Sequence, residues 1–489
     1  MANVNRVVMA PSNLVVNRAG GVGHSLDAKN ELVGILMTSL AEDTYYETAD
    51  ARNTRLGEVI AKVDPLFAAK AAIYARDVFG MRSITHIAGA LLAGSQFPEK
   101  RAFYNRIVVR PDDALSILAA YGLDKPLPNA MKRGLADALS NFKAGTLAKY
   151  KSENREINMY DAINLVHPKS AAVNAFMTGE VRVADTWEVA LSTKSATWRD
   201  LVLENKLGIM ALLRNLRNIV TQYRNDSEVM EAVYDQLTNK EAIMRSRLFP
   251  YRFLAAYQVF MPNDRGYEYW YGPATVSAVE APQALLRAIN TAAEVSLVNV
   301  PKLKGSTALF LDVSGSMHRA MSGKSKMLMI DAGAMLGAMI FKQNPDSELI
   351  KFGTKAKKFR VNADMPLLEI ANNFRNEDGL GYGTNLPAAF EETTRGHERV
   401  IIVSDMQTWL RTNYSSASGQ QCWKNYNSKW GVNSYGYEID LAGYGVTALN
   451  NRSNREFYLP TITDKIFTIM GGLEEGGDSL VQKIEKTSL

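Results

Sequence analysis

The hydrophobic pattern of this chain changes period once, near residue 306, and no other feature constrains the fold so strongly. Ahead of that point apolar residues recur at helical spacing, segment after segment. Beyond it, apolar runs of strand length alternate with helical stretches. Asp64-Pro65 opens one early helix: Asp64 suits the cap, and Pro65 the first turn, where no N–H is needed. Phe67, Ala71, Tyr74 and Val78 continue it until Gly80. Ser83 is expected to cap the next, through Ile84, Ile87, Leu91 and Leu92. Further helices are expected near 112–121, 129–142, 205–221, 227–237, 250–260 and 282–295, joined by short connections that carry Gly, Pro, Asn or Asp. Strand alternation is almost absent from this half. Many helices without a strict repeat fit a stacked α-solenoid or a compact bundle, and spacing alone leaves both open.

The second half reads differently. Thr307–Leu311, Ser347–Phe352, Arg399–Val403 and Lys465–Met470 are short apolar runs, as for buried strands. Between and after them, helices are expected at Ser325–Phe341, Pro366–Phe374, Leu386–Thr393 and Ser479–Ile484. Such alternation means a doubly wound parallel sheet. Val300-Pro301-Lys302-Leu303-Lys304-Gly305 breaks the helical pattern, so the domain boundary is placed there: 1–300 helical, 301–489 α/β. Residues 411–436, rich in Ser, Asn, Tyr, Gln, Gly and Trp, read as a polar surface insertion, a variable loop more readily than a binding loop.

Composition excludes several classes. A net charge of +5, from 56 Lys+Arg against 51 Asp+Glu, is no histone-like polycation. One cysteine, Cys422, excludes an internal disulfide framework and a cysteine-rich zinc site, and fits a reducing cytosol. No stretch reaches the ~18 apolar residues of a membrane span. Met1-Ala2-Asn3-Val4-Asn5-Arg6 lacks the features of a signal peptide. A soluble cytoplasmic chain without a membrane partner is therefore expected. The five histidines, His24, His86, His167, His318 and His397, form no His-Glu-x-x-His pair.

Chemistry concentrates where the first buried strand ends. Asp312-Val313-Ser314-Gly315-Ser316 offers one carboxylate and two hydroxyls at alternate positions, at the strand end where open α/β sheets bind ligands. These are hard oxygen donors, suited to one Mg²⁺ with water completing the shell. Thr384, in Gly381-Tyr382-Gly383-Thr384-Asn385, and Asp405, after the strand ending at Val403, fall at the same expected edge. A phosphatase with a nucleophilic Asp needs a second acid where Ser314 stands. No phosphate-binding Gly-x-x-x-x-Gly-Lys loop and no Ser-His-Asp set is evident. A two-metal nuclease lacks its carboxylate cluster.

Asp312, Ser314, Ser316, Thr384 and Asp405 resemble, element by element, the metal-ion-dependent adhesion site of von Willebrand factor A domains. In the helical half, Asn17-Arg18-Ala19-Gly20-Gly21-Val22, Asp43-Thr44-Tyr45-Tyr46 and Asp64-Pro65-Leu66-Phe67-Ala68 begin a series of segments that resembles the TROVE module of the Ro ribonucleoprotein autoantigen family. It continues through Ala130–Asp137, Lys149-Tyr150-Lys151, Leu165-Val166-His167-Pro168-Lys169, Ala211–Leu216 and Phe249-Pro250-Tyr251-Arg252. Their order is the family's, over roughly residues 15–485. The resemblance implies a HEAT-like α-solenoid closed into a ring by the A-type domain. It also implies binding of small noncoding RNA, with Y RNA on the outer face and single-stranded ends of misfolded RNA in the central hole. The loop after Lys151, with Glu153 and Glu156, departs from the family's and puts the outer surface in question.

The residues themselves speak for RNA only partly. Residues 51–150 hold 15 Lys+Arg against 8 Asp+Glu, whereas residues 1–50 hold 3 against 6. Clustered cations on helices suit phosphates, though they also serve as ordinary solvated faces. With the resemblance, Lys149, Lys151, Arg155, His167 and Lys169 become the candidate RNA surface, and Lys132 and Arg133 a second one. The 20 methionines read as core. The leading expectation is a non-catalytic, monomeric RNA scaffold carrying Mg²⁺. Its rival is a protein-interaction module whose metal captures an acidic residue of a partner.

Overall fold

The structure, a computed structural model, describes residues 13–38, 46–150, 156–181, 186–261, 280–321, 327–362, 364–407, 419–450, 453–476 and 479–489. The helical half follows the expected pattern. Asp64 caps the helix Pro65–Asp77, its carboxylate accepting from the Leu66 and Phe67 amides. The next helix, Ser83–Leu91, begins on Ser83 itself, and no side chain caps it. Helices follow at Lys100–Ile107, Pro111–Tyr121, Asn129–Ser140, Met159–Val166, Ile209–Tyr223, Ser227–Thr238, Pro250–Gln258 and Gln283–Ser296, with shorter ones between. Most pack on near neighbours along the chain: Pro65–Asp77 on Ser83–Leu91 and Lys100–Ile107, Lys100–Ile107 on Asn129–Ser140, and Asn129–Ser140 on Met159–Val166. That is the local contact pattern of a solenoid.

One element of this half escaped the periodicity. Strands β1 (Leu14–Val16) and β2 (Val22–Ser25) form a hairpin, and β2 pairs with β8 (Val446–Thr447) from the far end of the chain. Three or four residues are too few to show alternation, and the third strand lies over 400 positions away.

The α/β half is a six-stranded sheet in the order β5-β4-β3-β6-β7-β9. Its strands are β3 (Thr307–Asp312), β4 (Glu348–Phe352), β5 (Ala356–Phe359), β6 (Arg399–Ser404), β7 (Tyr435–Asp440) and β9 (Glu456–Pro460). All pairings are parallel except β4–β5. Alternate residues serve two cores: Leu309 and Leu311 join one that continues into the helical half, while Ala308 and Phe310 face Phe390, Trp423 and Tyr426.

Two sequence expectations fail here. Lys465–Met470 is not a strand; Ile466–Gly476 is a helix, and Ile466, Ile469, Met470 and Leu473 form its buried stripe. The strand lies earlier, at β9, where Pro460 is tolerated because β9 is an edge. Nor is 411–436 a loop within the described residues. Gly419–Trp430 is a helix, Trp423 and Tyr426 are buried beneath it, and Tyr435 opens β7.

Both ends of the helical array dock on the sheet domain, as ring closure requires. Pro250–Gln258 packs on the helix Met329–Gln343, and Gln283–Ser296 on Leu367–Phe374. At the other end Ala28–Thr38 packs on β9 and on the helix Leu480–Glu485. Gly34 makes that approach feasible: a Cβ there would stand 2.6 Å from the Tyr458 hydroxyl. The ionic centre of this seam is the buried Glu47. It accepts from Arg52 at 2.8 Å, Arg55 at 2.9 and 3.0 Å, and Arg18 at 2.8 Å. Arg52 and Arg55 pass on to the carbonyls of Ala442 and Gly443, just beyond β7.

A second buried charge organises the array. Burial alone would raise the Asp113 pKa, but His86 and Arg76 beside it, with Arg82, hold it far below the ordinary carboxylate range. Asp113 also accepts from the Val109 and Arg110 amides, closing the helix start at Pro111. A depressed carboxylate contributes stability at neutral pH that disappears as pH falls below its ordinary value of about 4. Asp113→Ala should therefore cost about 3–5 kcal/mol in urea unfolding at pH 7, since it strands buried guanidinium. The gap between variant and wild type should narrow steadily below about pH 4.

Candidate metal edge and basic surface

The C-terminal ends of β3 and β6 lie side by side and bring together most of the expected donors. Asp312 ends β3 and is fully buried; its Oδ1 accepts from the Ser314 amide at 2.8 Å, and its Oδ2 from the Ser404 hydroxyl at 2.6 Å. The Ser314 and Ser316 hydroxyls stand 3.4 Å apart. Asp405 follows β6. Its Oδ1 accepts from the Gln407 amide at 3.1 Å, while its buried Oδ2 makes no well-formed hydrogen bond. Ser404, without a role of its own in the sequence reading, is the residue that orients Asp312. Its hydroxyl also accepts from the Met406 amide at 3.0 Å. Met406 itself takes a left-handed φ of 58°, uncommon for a side chain that bulky, so the turn after Asp405 is held by its surroundings.

Thr384 reaches the same edge through a different device. Beyond β4, Gly353 and Thr354 grip its loop: Asn385 donates to the Gly353 carbonyl at 2.8 Å, and Gly383 to the Thr354 hydroxyl at 3.0 Å. Gly353 has to be glycine, because a Cβ would meet the Gly381 carbonyl at 2.0 Å. Phe352 pairs with Asp312, so this grip lies beside the Asp-x-Ser-x-Ser turn.

Burial pushes Asp312 up to about 6, against the opposing bonds from Ser404 and Ser314. Asp405 is pushed up to about 7 by burial first, then by the Asp312 charge, against the Ser316 hydroxyl and the Gln407 amide. Two buried carboxylates that repel each other, an under-bonded oxygen and a set of hydroxyls are a donor set that fits one hard divalent cation. Among the described residues no three His, Cys, Asp or Glu side chains gather as ligands, so the fit is to a hydroxyl-rich site and not to a zinc or two-metal centre.

At the opposite edge of the sheet a Ser–His–Glu chain appears that sequence order conceals. His397 Nδ1 is 3.0 Å from the Ser306 hydroxyl and its Nε2 3.2 Å from Glu348. The Ser306 hydroxyl donates instead to Glu398, at 3.0 Å, and His397 is sealed from solvent. The chain ties β3, β4 and β6 together and leaves no activated nucleophile.

The basic surface is smaller than composition suggested. Of the 15 Lys and Arg in 51–150, Arg52, Arg55, Arg76, Arg82, Arg101, Arg106, Arg110 and Lys149 enter ion pairs. Lys100 is spent on the carbonyls of Ala93 and Ser95. Their acidic partners often lie some 30 residues away and meet them only across neighbouring helices. Lys132 and Arg133 make no ion pair among the described residues, and Arg133 is exposed. Lys169 is exposed, and its amide donates to the Ser140 hydroxyl at 3.0 Å, which seats it at the far end of the same helix. Lys132 thus lies about 12 Å from Ser140 along that helix. His167 is exposed and closes Met159–Val166 in a left-handed conformation. Lys149 pairs with Glu188 at 3.3 Å. Lys151 and Arg155 lie outside the described residues. The sequence reading missed Arg214 and Arg217, exposed three residues apart on Ile209–Tyr223 and without ion pairs among the described residues.

Residues 178–261 match the TROVE domain, and residues 307–439 the Ro60 vWA domain. The two matched domains, in this order, make the chain similar to the Ro ribonucleoprotein family. The crystal structure of the Deinococcus radiodurans RO (RSR) protein superposes with a TM-score of 0.62 at 18% identity, over 92% of this chain and 100% of that one, and so shares its fold. The D. radiodurans RNA-binding protein RO60 is 26% identical over 47% of this chain and 40% of its own length. The rat telomerase protein component 1 is 23% identical over 47% of this chain. The chain spans 13% of that relative and 40% of the RO60 sequence.

The metal edge makes one prediction of its own. In chelator, Asp405→Asn should raise the stability of this chain by at least about 1 kcal/mol, because one of two repelling buried charges is gone. Thermal melts with EDTA at pH 8 read the shift; an unchanged or lower melting temperature would contradict the repulsion.

Proposed function

We propose that this chain is a non-catalytic RNA-binding scaffold. Its helical half holds small structured RNA of the Y-RNA kind and receives single-stranded ends of misfolded RNA. The observation that carries the reading is a group of cations that make no ion pair among the described residues: half-buried Lys132 with exposed Arg133 and Lys169 around one helix, and exposed Arg214 with Arg217 inside the TROVE-matched segment. Guanidinium and ammonium groups on a solvent-facing helical surface suit phosphate oxygens and add little to folding. The relatives named as RNA-binding proteins support the same reading.

Phosphate contact predicts salt dependence. Lys132→Ala, Arg133→Ala and Lys169→Ala together should weaken binding of a structured RNA at least ~10-fold and flatten the plot of log affinity against log salt by about 2, at ~0.7 per lost contact. Gel shifts across a salt series read both. Undiminished affinity would remove these residues from the interface.

In the same proposal Asp312, Ser314, Ser316, Thr384 and Asp405 hold one divalent cation such as Mg²⁺. Bound there, the cation would supply an open coordination position for an external carboxylate. The second reading, a module that captures an acidic residue of a partner protein, draws on that position and on the solvent-facing Tyr382 beside Thr384. It concerns the sheet domain and stands apart from the RNA surface. Asp312→Ala should therefore abolish Mg²⁺ binding in calorimetry, leave RNA affinity within a few fold, and leave labelled RNA as intact as with wild type. Metal-dependent cleavage lost in this variant would overturn the non-catalytic reading.

A further inference from the structure

One route of polar contacts leads out of the metal edge toward the helical half. Gln407, two residues past Asp405 and almost fully buried, makes two contacts at once. Its amide donates to Asp405 Oδ1 at 3.1 Å, and its side-chain oxygen accepts from the Arg18 amide at 2.8 Å. Arg18 sits in the turn between β1 and β2, and Asn17 shapes that turn by accepting from the Ala19 and Gly21 amides. The Arg18 guanidinium points the other way. It donates to the Tyr46 carbonyl and to Glu47, and lies over the Tyr444 ring. One residue thus joins the Asp405 loop to the seam that closes the helical array.

Met406 holds a left-handed backbone between Asp405 and Gln407, with its amide bonded to the Ser404 hydroxyl, so the Asp405 carboxylate and the Gln407 side chain are linked through one constrained turn. Asp405 Oδ2 is buried beside Asp312 and makes no well-formed hydrogen bond. A cation between the two carboxylates would remove their repulsion and favour the single loop conformation in which Gln407 meets Arg18.

On the reading that this edge holds a divalent cation, we infer that Gln407 is a latch through which the cation tightens the N-terminal hairpin and the Glu47 seam behind it. Linkage is reciprocal: whatever loosens the hairpin also weakens the metal. Gln407 is a positioning residue here, and so is Asn17, which lies on another segment.

Hydrogen exchange on the full chain, with EDTA or with excess MgCl₂, reads the effect at residues 14–25 and 46–55. Mg²⁺ should slow exchange there on the order of 5-fold or more in wild type. Gln407→Leu should abolish the slowing and lower Mg²⁺ affinity by a similar factor in calorimetry. Asn17→Ala should act in the same direction, and it keeps the test decisive if Gln407→Leu folds poorly. Mg²⁺ binding in calorimetry with unchanged hairpin exchange would overturn the latch and leave the cation site standing. Absence of any Mg²⁺ binding to wild type would overturn the cation site, and the latch with it.

Discussion

Closure of the helical array on the sheet domain rests on the buried carboxylate of Glu47. It gathers three guanidiniums, from Arg18, Arg52 and Arg55, and two of these continue to carbonyls just beyond β7. Burying such a group is favourable only when its partners arrive together. Here they come from the hairpin turn, from the helix Ala49–Ile60 and, through the carbonyls, from residues nearly 400 positions away. The seam forms only when all three are in place, which ties the two ends of the chain into one unit. Asp440 fixes the sheet's side of it, accepting from the Ala442 and Gly443 amides at 2.8 and 2.9 Å and from the Tyr458 hydroxyl at 2.8 Å.

That seam and the metal edge use the same end of the same strands. Parallel strands direct their carboxyl ends to one side, so Asp312, Asp405 and Asp440 fall in a row from β3 through β6 to β7. Asp440 is satisfied by backbone and by Tyr458. Asp312 and Asp405 are not satisfied to the same degree, and this difference separates a structural aspartate from candidate ligands. The cations proposed for RNA lie elsewhere, on the helical array, so the proposal assigns RNA and metal to different halves.

Much of this was legible in the sequence, where the physics is local. Asp64-Pro65 announces a helix start in two residues, and the Asp-x-Ser-x-Ser turn announces itself in five. The failures are those of long range. Ile466–Met470 looks like a strand because its apolar residues are adjacent; only Leu473 completes the helical stripe. Strand β7, Tyr435–Asp440, carries Glu438 and Asp440 inward, and a run with two buried acids does not read as a core strand. The cation excess of 51–150 misled because partners such as Arg101 with Asp137 and Arg106 with Asp77 meet only across packed helices. Gln407 carried no signal at all, since its role depends on Arg18 in a hairpin that the pattern did not reveal.

The central claim is that one closed chain offers RNA its helical half and keeps the sheet domain for other use. Ultraviolet cross-linking of the chain to RNA in native cells tests it most directly, with the cross-linked peptides mapped and the attached RNA sequenced. The account predicts cross-links within the helices from Asn129 to Tyr223, near Lys132, Arg133, Lys169, Arg214 and Arg217, to small structured noncoding RNA. Cross-links confined to residues 301–489, or no RNA recovered above a control protein, would contradict it.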